Sequence, residues 1–178
     1  MRWNWTAWPW CVFAERIEKG AIAQETELSI EQRLTAFRAE HPDFRGLSFG
    51  TIAGYGAHGA IVHYEADESS NAPLAARSFL LLDSGAHYIS GTTDITRTLP
   101  LGPLTDEERK VYTLVLKGHI ALARARFPER TQGLVLDFAA RYAMWQEGMD
   151  FGHGTGHGVG YFLNVHEPPQ RISYFAPN

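Results

Sequence analysis

Three histidines lie in a glycine-rich stretch near the end of the chain. Residues 151–167 read FGHGTGHGVGYFLNVHE, which places His153, His157 and His166 among five glycines. The glycines around His153 and His157 make a helix unfavourable there, so we expect a loop or a strand edge. Glycine also lets the backbone approach a ligand closely. A lone histidine is usually structural, but three beside these glycines favour a functional site.

Two aspartates lie upstream in apolar, strand-like sequence. Asp83 ends the run SFLLLD, a turn is predicted at Ser84-Gly85, and Asp94 lies in the returning run, residues 88–98. Buried aspartates are rare unless they are paired, hydrogen-bonded or bound to metal. Two on neighbouring strands repel each other unless a cation lies between them. A hairpin would hold both carboxylates beside such a cation; alternatively, Asp83 caps a turn and Asp94 is exposed.

The chemistry of these residue types predicts a metal centre. Two carboxylates with the imidazole of His157 suit divalent Mn, Co or Zn better than a redox centre. The sequence has no HExxH motif, so the zincin arrangement is excluded. We therefore expect a metallohydrolase.

The first helix is predicted over residues 26–41. Ser29 and Gln32 fit a capping box, and the chain leaves the helix at His41-Pro42. The apolar residues that fall on one face of this helix are Ile30, Leu34 and Phe37.

A glycine motif in residues 47–64 resembles a nucleotide-binding fingerprint. Gly54, Gly56 and Gly59 satisfy GxGxxG, but that motif requires a following helix whose N-terminus binds pyrophosphate. Here AIVHY follows, and its β-branched residues predict a second strand after a glycine turn. We therefore reject nucleotide binding, and we expect a polar loop over residues 65–77.

Two more helices follow the aspartates. Thr105 and Glu108 fit a capping box, and Leu134 to Trp145 reads as a further helix. The residues predicted to line one side of the earlier helix are Val111, Leu114, Val115, Gly118 and Leu122. The order of helix, strands, helices and strand predicts an α+β fold.

Composition describes an ordinary globular chain of 178 residues with a net charge of -4. No Lys/Arg stripe indicates nucleic acid as a partner. The single cysteine, Cys11, excludes an internal disulfide and fits a reducing, cytoplasmic location. Residues 1–26 form an atypical tryptophan-rich start that lacks a signal peptide's aliphatic core and is too short to cross a membrane. We expect one domain over residues 27–178.

Four segments together resemble a known family. They read GAIVHY, DSGAHYISGTTDITRT, LKGHIALARARFP, and GHGTGHGVG with LNVHEPP. Over residues 27–173 the chain looks like the aminopeptidase P (Xaa-Pro aminopeptidase) branch of the pita-bread metallopeptidases. The resemblance implies a partial pita-bread fold that lacks the last strands of its second half.

The resemblance also implies a site with two divalent metal ions, usually manganese, with zinc or cobalt as alternatives. By position, Asp83 would bind one ion, Asp94 would bridge both, and His157 would bind the other. A metal-bridging hydroxide would attack the bond before proline. The implied substrate is a peptide with proline in second position.

Three further histidines are implied to line the substrate pocket. His166 is similar to the histidine that hydrogen-bonds the scissile carbonyl, while His63 and His153 would hold substrate and shuttle protons. The alternative for His63 is a buried histidine in a strand.

The resemblance leaves the site incomplete in this sequence. The family's two glutamate ligands would lie beyond Glu167, so we expect a truncated catalytic domain that binds at most one metal weakly and has little or no activity alone. Relatives are often homodimers, which makes a homodimer a candidate assembly. The alternatives are a non-catalytic pita-bread binding module and a prolidase-like dipeptidase.

Overall fold

A computed structural model describes residues 21–175 of the chain. Most of the predicted tryptophan-rich segment, residues 1–26, lies outside this described part. Residues 21–104 with 159–165 form one compact unit, and residues 105–158 with 166–175 form a second. None of the helices in this part of the chain combines the length and the apolar character that crossing a membrane requires.

Both units contain helices and strands. The first unit contains a 3-10 turn Ala21–Gln24, α1 Glu27–Ala39, β1 Phe44–Leu47, β2 Ile52–Tyr55, a 3-10 turn Gly56–Ala60, β3 Phe79–Ser84, β4 Ala86–Tyr88, β5 Gly91–Thr92 and β6 Ile95–Pro100. The second unit contains α2 Asp106–Ala123, α3 Gly133–Trp145, β7 Gly156–Gly158 and β8 Glu167–Ile172.

The first helix, α1, begins at a capping box formed by Thr26 and Ser29. The Ser29 N–H donates to the Thr26 hydroxyl at 3.2 Å, and the Thr26 N–H donates to the Ser29 hydroxyl at 2.8 Å. The predicted box of Ser29 and Gln32 is therefore wrong by three residues, because Ser29 already lies inside the helix. Ile30 and Leu34 are fully buried, as their spacing predicted.

Strand β3 is the middle strand of the antiparallel sheet β2-β3-β6. Leu80 and Leu82 are fully buried and belong to one apolar cluster with Ile30 and Leu34 of α1. The alternate residues of β3, which are Phe79, Leu81 and Asp83, are only half-buried. The continuous apolar run predicted a buried strand, and the structure has a strand whose burial alternates, because one face packs against the α1 cluster.

The turn of the hairpin lies five residues beyond the predicted position. The chain continues from β3 through Gly85 into β4, reverses at residues 89–90, and returns as β5 and β6. Ser84 remains in β3 and forms no turn. Its carbonyl and its hydroxyl accept hydrogen bonds from the buried Arg38 guanidinium at 2.9 and 2.8 Å. Contacts from α1 thus overrode the local turn preference of Ser-Gly.

The predicted strand AIVHY is wrong. After β2 the chain forms the 3-10 turn Gly56–Ala60, and residues 61–64 are irregular. No α-helix occurs between residues 60 and 78 either. The GxGxxG stretch therefore lacks the helix N-terminus that a nucleotide-binding fingerprint uses.

In the second unit, α2 has the predicted capping box. The Glu108 N–H donates to the Thr105 hydroxyl at 3.2 Å, and the Thr105 N–H donates to the Glu108 carboxylate at 2.8 Å. Of the residues predicted to line its buried side, Leu114 and Gly118 are buried, but Val115 is 48% exposed. A side chain at Gly118 would collide with the backbone of Ala140 in α3. The close packing of α2 and α3 therefore requires glycine there.

Candidate metal centre and substrate site

The register of the hairpin places Asp83 and Asp94 on one face. Asp83 pairs with Thr96, and Ser84 pairs with Ile95. The same register continues to the Thr93 N–H, which donates to the Ala86 carbonyl at 2.9 Å. Asp94 therefore lies diagonally across from Asp83, on the same side of the two strands. Diagonal neighbours in an antiparallel pair are about 7–8 Å apart, within reach of a shared ligand.

Asp83 and Asp94 are both half-buried, and the Oδ1 atom of Asp83 is fully buried. They lie on the face of the sheet opposite Leu82 and the α1 cluster. The alternative in which Asp83 caps a turn and Asp94 is exposed is therefore wrong. Two carboxylates held on one partly buried face favour a cation between them.

His157 and His166 come together in the second unit. Both side chains are exposed, and their ring centroids lie 4.2 Å apart with the planes at 76°. His157 belongs to β7 and pairs with Arg171 of β8, while His166 directly precedes β8. The strand edge predicted for the histidine-glycine stretch is thus present.

Hydrogen bonds determine which ring nitrogen of His157 and of His153 could bind a ligand. Nδ1 of His157 lies 2.9 Å from the carbonyl of Gly158, and Nδ1 of His153 lies 2.8 Å from the carbonyl of Gly154. A carbonyl only accepts hydrogen bonds, so in the neutral rings Nδ1 bears the proton. The lone pair is then on Nε2, which suits metal coordination at His157 and proton transfer at His153.

A buried ion pair supports the backbone before these histidines. Arg141 and Asp137, one helical turn apart in α3, are 0% and 1% exposed and bond at 2.9 Å. Burial opposes ionisation of Asp150, but hydrogen bonds from Arg141, the Phe151 N–H and the Tyr174 hydroxyl lower the pKa of Asp150 to about 2. Asp150 is therefore ionised at neutral pH.

His63 lies on the irregular segment after the second 3-10 turn. Its side chain is exposed and its backbone has φ = 56°, a left-handed conformation that is uncommon outside glycine. The alternative of a buried strand histidine is therefore wrong. The next residue, Tyr64, is buried and donates its hydroxyl to Glu27 at 2.9 Å.

The predicted metal ligands divide between the two units. Asp83 and Asp94 belong to the first unit and His157 to the second. Across residues 21–175, no group of three or more His, Cys, Asp or Glu side chains is arranged to hold a metal ion. A single centre formed by these three residues therefore stays a prediction.

Comparison with known proteins identifies the family. The sequence profile of metallopeptidase family M24 matches residues 11–178. The chain belongs to this family. Xaa-Pro aminopeptidase 1 of Dictyostelium discoideum is 49% identical to this M24 chain over 162 residues, covering 91% of the chain and 26% of that protein. The chain thus spans about a quarter of that relative's length.

Solved structures agree with this assignment. A crystal structure of X-prolyl aminopeptidase from Caenorhabditis elegans, described as a cytosolic enzyme with a di-nuclear active site, matches with a TM-score of 0.84 at 42% identity, covering 95% of the M24 chain and 27% of its own. A prolidase from Thermococcus sibiricus matches with a TM-score of 0.78 at 27% identity, covering 95% and 45%. The predicted α+β, partial pita-bread fold and the resemblance to the aminopeptidase P branch are confirmed.

Sequence reasoning missed the residues that support the site. Asp137 and Arg141 were available as a signal, because an Asp and an Arg four residues apart can pair on one face of a helix. Buried charges on the core side of an apolar helix are rare unless paired. Glu27 gave no comparable signal, because its partners Tyr55, His58 and Tyr64 are distant in sequence.

Proposed function

We propose that this chain provides metal- and substrate-binding residues of a two-metal Xaa-Pro aminopeptidase. Asp83 would hold one divalent ion, His157 would hold the other, and Asp94 would be shared by both, with manganese as the expected metal. The observation on which the proposal chiefly rests is the hairpin register that sets Asp83 and Asp94 on one face. Membership of family M24 and the names of the relatives support it further.

The donor atoms fit such ions. Carboxylate oxygens and an imidazole nitrogen are ligands that Mn²⁺, Zn²⁺ and Co²⁺ accept, and the bond from His157 Nδ1 to the Gly158 carbonyl leaves Nε2 to ligate. When bound, the ions would supply Lewis-acid polarisation and lower the pKa of a coordinated water. Asp83 and Asp94 together neutralise only two of about four positive charges, so the 178-residue chain alone is expected to bind one ion weakly.

The histidines bind and orient the peptide. His166 donates a hydrogen bond to the carbonyl of the bond before proline, and its T-shaped contact with His157 at 4.2 Å keeps it beside the metal ligand. His153 accepts or returns a proton at Nε2, because its Nδ1 proton is used by the Gly154 carbonyl. His63 holds substrate from the exposed segment next to Tyr64. A cytoplasmic location is part of the proposal, supported by the cytosolic description of the C. elegans enzyme.

Isosteric substitution of the two aspartates tests the metal assignment. Calorimetric titration of the 178-residue chain with Mn²⁺ should detect one site, and Asp83→Asn or Asp94→Asn should weaken its binding at least tenfold, because each removes a charged ligand. Asp106→Asn is the matched control, because that side chain is 99% exposed at the start of α2. Equal Mn²⁺ affinity in all four proteins would refute the assignment.

The substrate class needs a separate assay. Release of the first residue from a peptide with proline second, compared with cleavage of a free Xaa-Pro dipeptide, separates aminopeptidase from prolidase chemistry. We expect the longer peptide to be preferred wherever turnover is detected, and loss of that turnover in His166→Gln. The prolidase of T. sibiricus is the specific reason to include the dipeptide. Preference for the dipeptide would contradict the proposal in favour of a prolidase.

A further inference from the structure

The guanidinium of Arg141 reaches the backbone of the histidine-glycine segment directly. Nη1 donates to the carbonyl of Phe151 at 2.6 Å and to Oδ1 of Asp150 at 2.7 Å. Nη2 donates to the carbonyl of His153 at 2.6 Å. The guanidinium is a rigid, planar fork, so its donors set the relative positions of those two carbonyls.

Asp137 fixes a second part of the same segment. Its Oδ1 accepts the hydroxyl of Thr155, and its Oδ2 accepts the N–H of Tyr174 at 3.0 Å as well as the Arg141 bond. Thr155 directly precedes β7, the strand that contains His157, and Tyr174 lies two residues after the end of β8. One carboxylate therefore holds the start of β7 and the end of β8, which are adjacent in this antiparallel pair.

The surroundings of Arg141 exclude water from these bonds. Its guanidinium carbon lies 3.7 Å from the ring centroid of Phe151 and 4.4 Å from that of Tyr174. A buried ion pair of this kind adds little net stability compared with apolar residues of the same size. Its distinctive effect here is geometric. Arg141 donates to the Asp150 carboxylate and to the carbonyls of Phe151 and His153, and Asp137 accepts the Thr155 hydroxyl. These four hydrogen bonds restrict the backbone of the segment to one path.

The segment needs such support because it is rich in glycine. Gly152, Gly154 and Gly156 alternate with His153 and Thr155, and glycine has more conformations to lose on folding than any other residue. Such a segment cannot fix two imidazoles by its own preferences. Asp137 and Arg141 instead fix the position of the segment relative to the helix α3, to which both residues belong.

We propose that Arg141 and Asp137 are positioning residues, which hold residues 151–155 so that His153 and His157 keep Nδ1 on the following carbonyl and Nε2 available. The functional meaning of this role rests on the proposed function, which assigns those histidines to the site. The positioning itself is independent of metal and can be measured without it.

The experiment reads the tautomers of the two imidazoles. The 178-residue chain, labelled with ¹⁵N-histidine, is studied by long-range ¹H–¹⁵N NMR in alkaline buffer, where neutral imidazole predominates, without metal. His153→Gln and His157→Gln assign the signals. The wild type should show both rings fixed with the proton on Nδ1. Arg141→Lys, which keeps the charge but loses the fork, should lose the fixed tautomer of His153.

Two further variants separate positioning from loss of stability. Met144→Ala removes a buried apolar side chain from the same helix, and it should leave both tautomers fixed although the chain is less stable. Thr155→Val removes only the hydroxyl bonded to Asp137, and it should release the tautomer of His157 in a chain that still folds. If Arg141→Lys does not fold, the tautomer of His157 in Thr155→Val alone decides whether the positioning role holds.

The inference is overturned if folded Arg141→Lys or Thr155→Val keeps both tautomers fixed, or if Met144→Ala releases them equally. Paramagnetic broadening of the His157 signal by Mn²⁺ is recorded in the wild type as a separate test. Absence of that broadening would overturn the metal assignment and leave the positioning role intact. The two failures are therefore distinguishable.

Discussion

Glu27 is a carboxylate with no exposed surface, and it organises the segment that contains His63. Oε1 accepts the Tyr55 N–H at 2.7 Å and lies 2.9 Å from Nδ1 of His58. Oε2 accepts the Tyr64 hydroxyl at 2.9 Å and the Ala72 N–H at 3.0 Å. One side chain at the first position of α1 thus connects the end of β2, the following 3-10 turn and the long loop.

Removing this carboxylate should be costly. Glu27→Ala is expected to lower the free energy of unfolding by about 3–5 kcal/mol, because it leaves buried donors without their acceptor. Urea denaturation measures the change. Gln32→Ala is the control, since Gln32 is exposed on the same helix and should shift stability by less than about 0.5 kcal/mol. Equal midpoints for the two variants would contradict this role of Glu27.

Among the secondary-structure elements, the hairpin from β3 to β6 matters most, because it aligns the two aspartates. Gly85 joins β3 to β4 on one side of this hairpin, and it lies opposite Asp94 when the register of β3 and β6 is continued. A Cβ atom at Gly85 would overlap the carbonyl of Thr93 and the hydroxyl of Ser48. The two strands can therefore stay paired past this point only if residue 85 has no side chain.

Gly85→Ala tests the importance of that close approach. We expect a loss of about 1–3 kcal/mol in the free energy of unfolding from overpacking, and weaker Mn²⁺ binding because the segment between β5 and β6, which bears Asp94, must shift. Gly50→Ala is the matched control, since a methyl group there would enter open space. Urea denaturation and Mn²⁺ titration of both variants give the comparison. An unaltered Gly85→Ala protein would show that the backbone there can relax freely.

Both units of the molecule bury charged groups beside apolar residues. The first has an apolar cluster of mainly leucines and isoleucines from α1, β3 and neighbouring segments, and it also buries Glu27 and Arg38. The second buries the ion pair of Asp137 and Arg141 beside Ala140, Met144 and Leu114. Ionic interactions inside a unit make its stability depend on pH in a way that apolar packing does not.

Acid should remove part of this stability through Asp150. Its pKa is lowered to about 2 in the folded chain from an ordinary 3.8, so the unfolded chain takes up the proton more readily. The stabilisation is therefore complete above about pH 4 and is lost as the pH falls towards 2. The side chain is 39% exposed, so solvent screening keeps the effect modest.

The measurement compares urea midpoints of wild type and Asp150→Asn from pH 5 to pH 2. The difference in midpoint between the two proteins should be largest at pH 5 and should narrow towards pH 2, because protonation of Asp150 in the wild type removes the charge that the asparagine variant already lacks. Glu129→Gln, at an exposed glutamate outside the helices, should follow the wild type throughout. A gap independent of pH would show that Asp150 acts through shape and not through charge.

Much of the fold could be predicted because the signals are local. The capping box of Thr105 and Glu108 lies within one helical turn, and the spacing of Ile30 and Leu34 follows the helix period. A strand pair bearing Asp83 and Asp94 follows from two adjacent apolar runs. The roles of Asp83, Asp94 and His157 as metal ligands still stand as predictions.

The remaining features depend on contacts between residues far apart in sequence. Ser84-Gly85 has good turn chemistry, yet Arg38, 46 residues earlier, holds Ser84 in the strand and moves the turn to residues 89–90. Glu27 likewise accepts the hydroxyl of Tyr64, 37 residues away, at the end of the run that was predicted as a strand and is irregular. Local preferences amount to about 1 kcal/mol or less per residue, whereas a buried charge without a partner costs several. Where the two conflict, the buried charge prevails, and its partner is identified only in the folded chain.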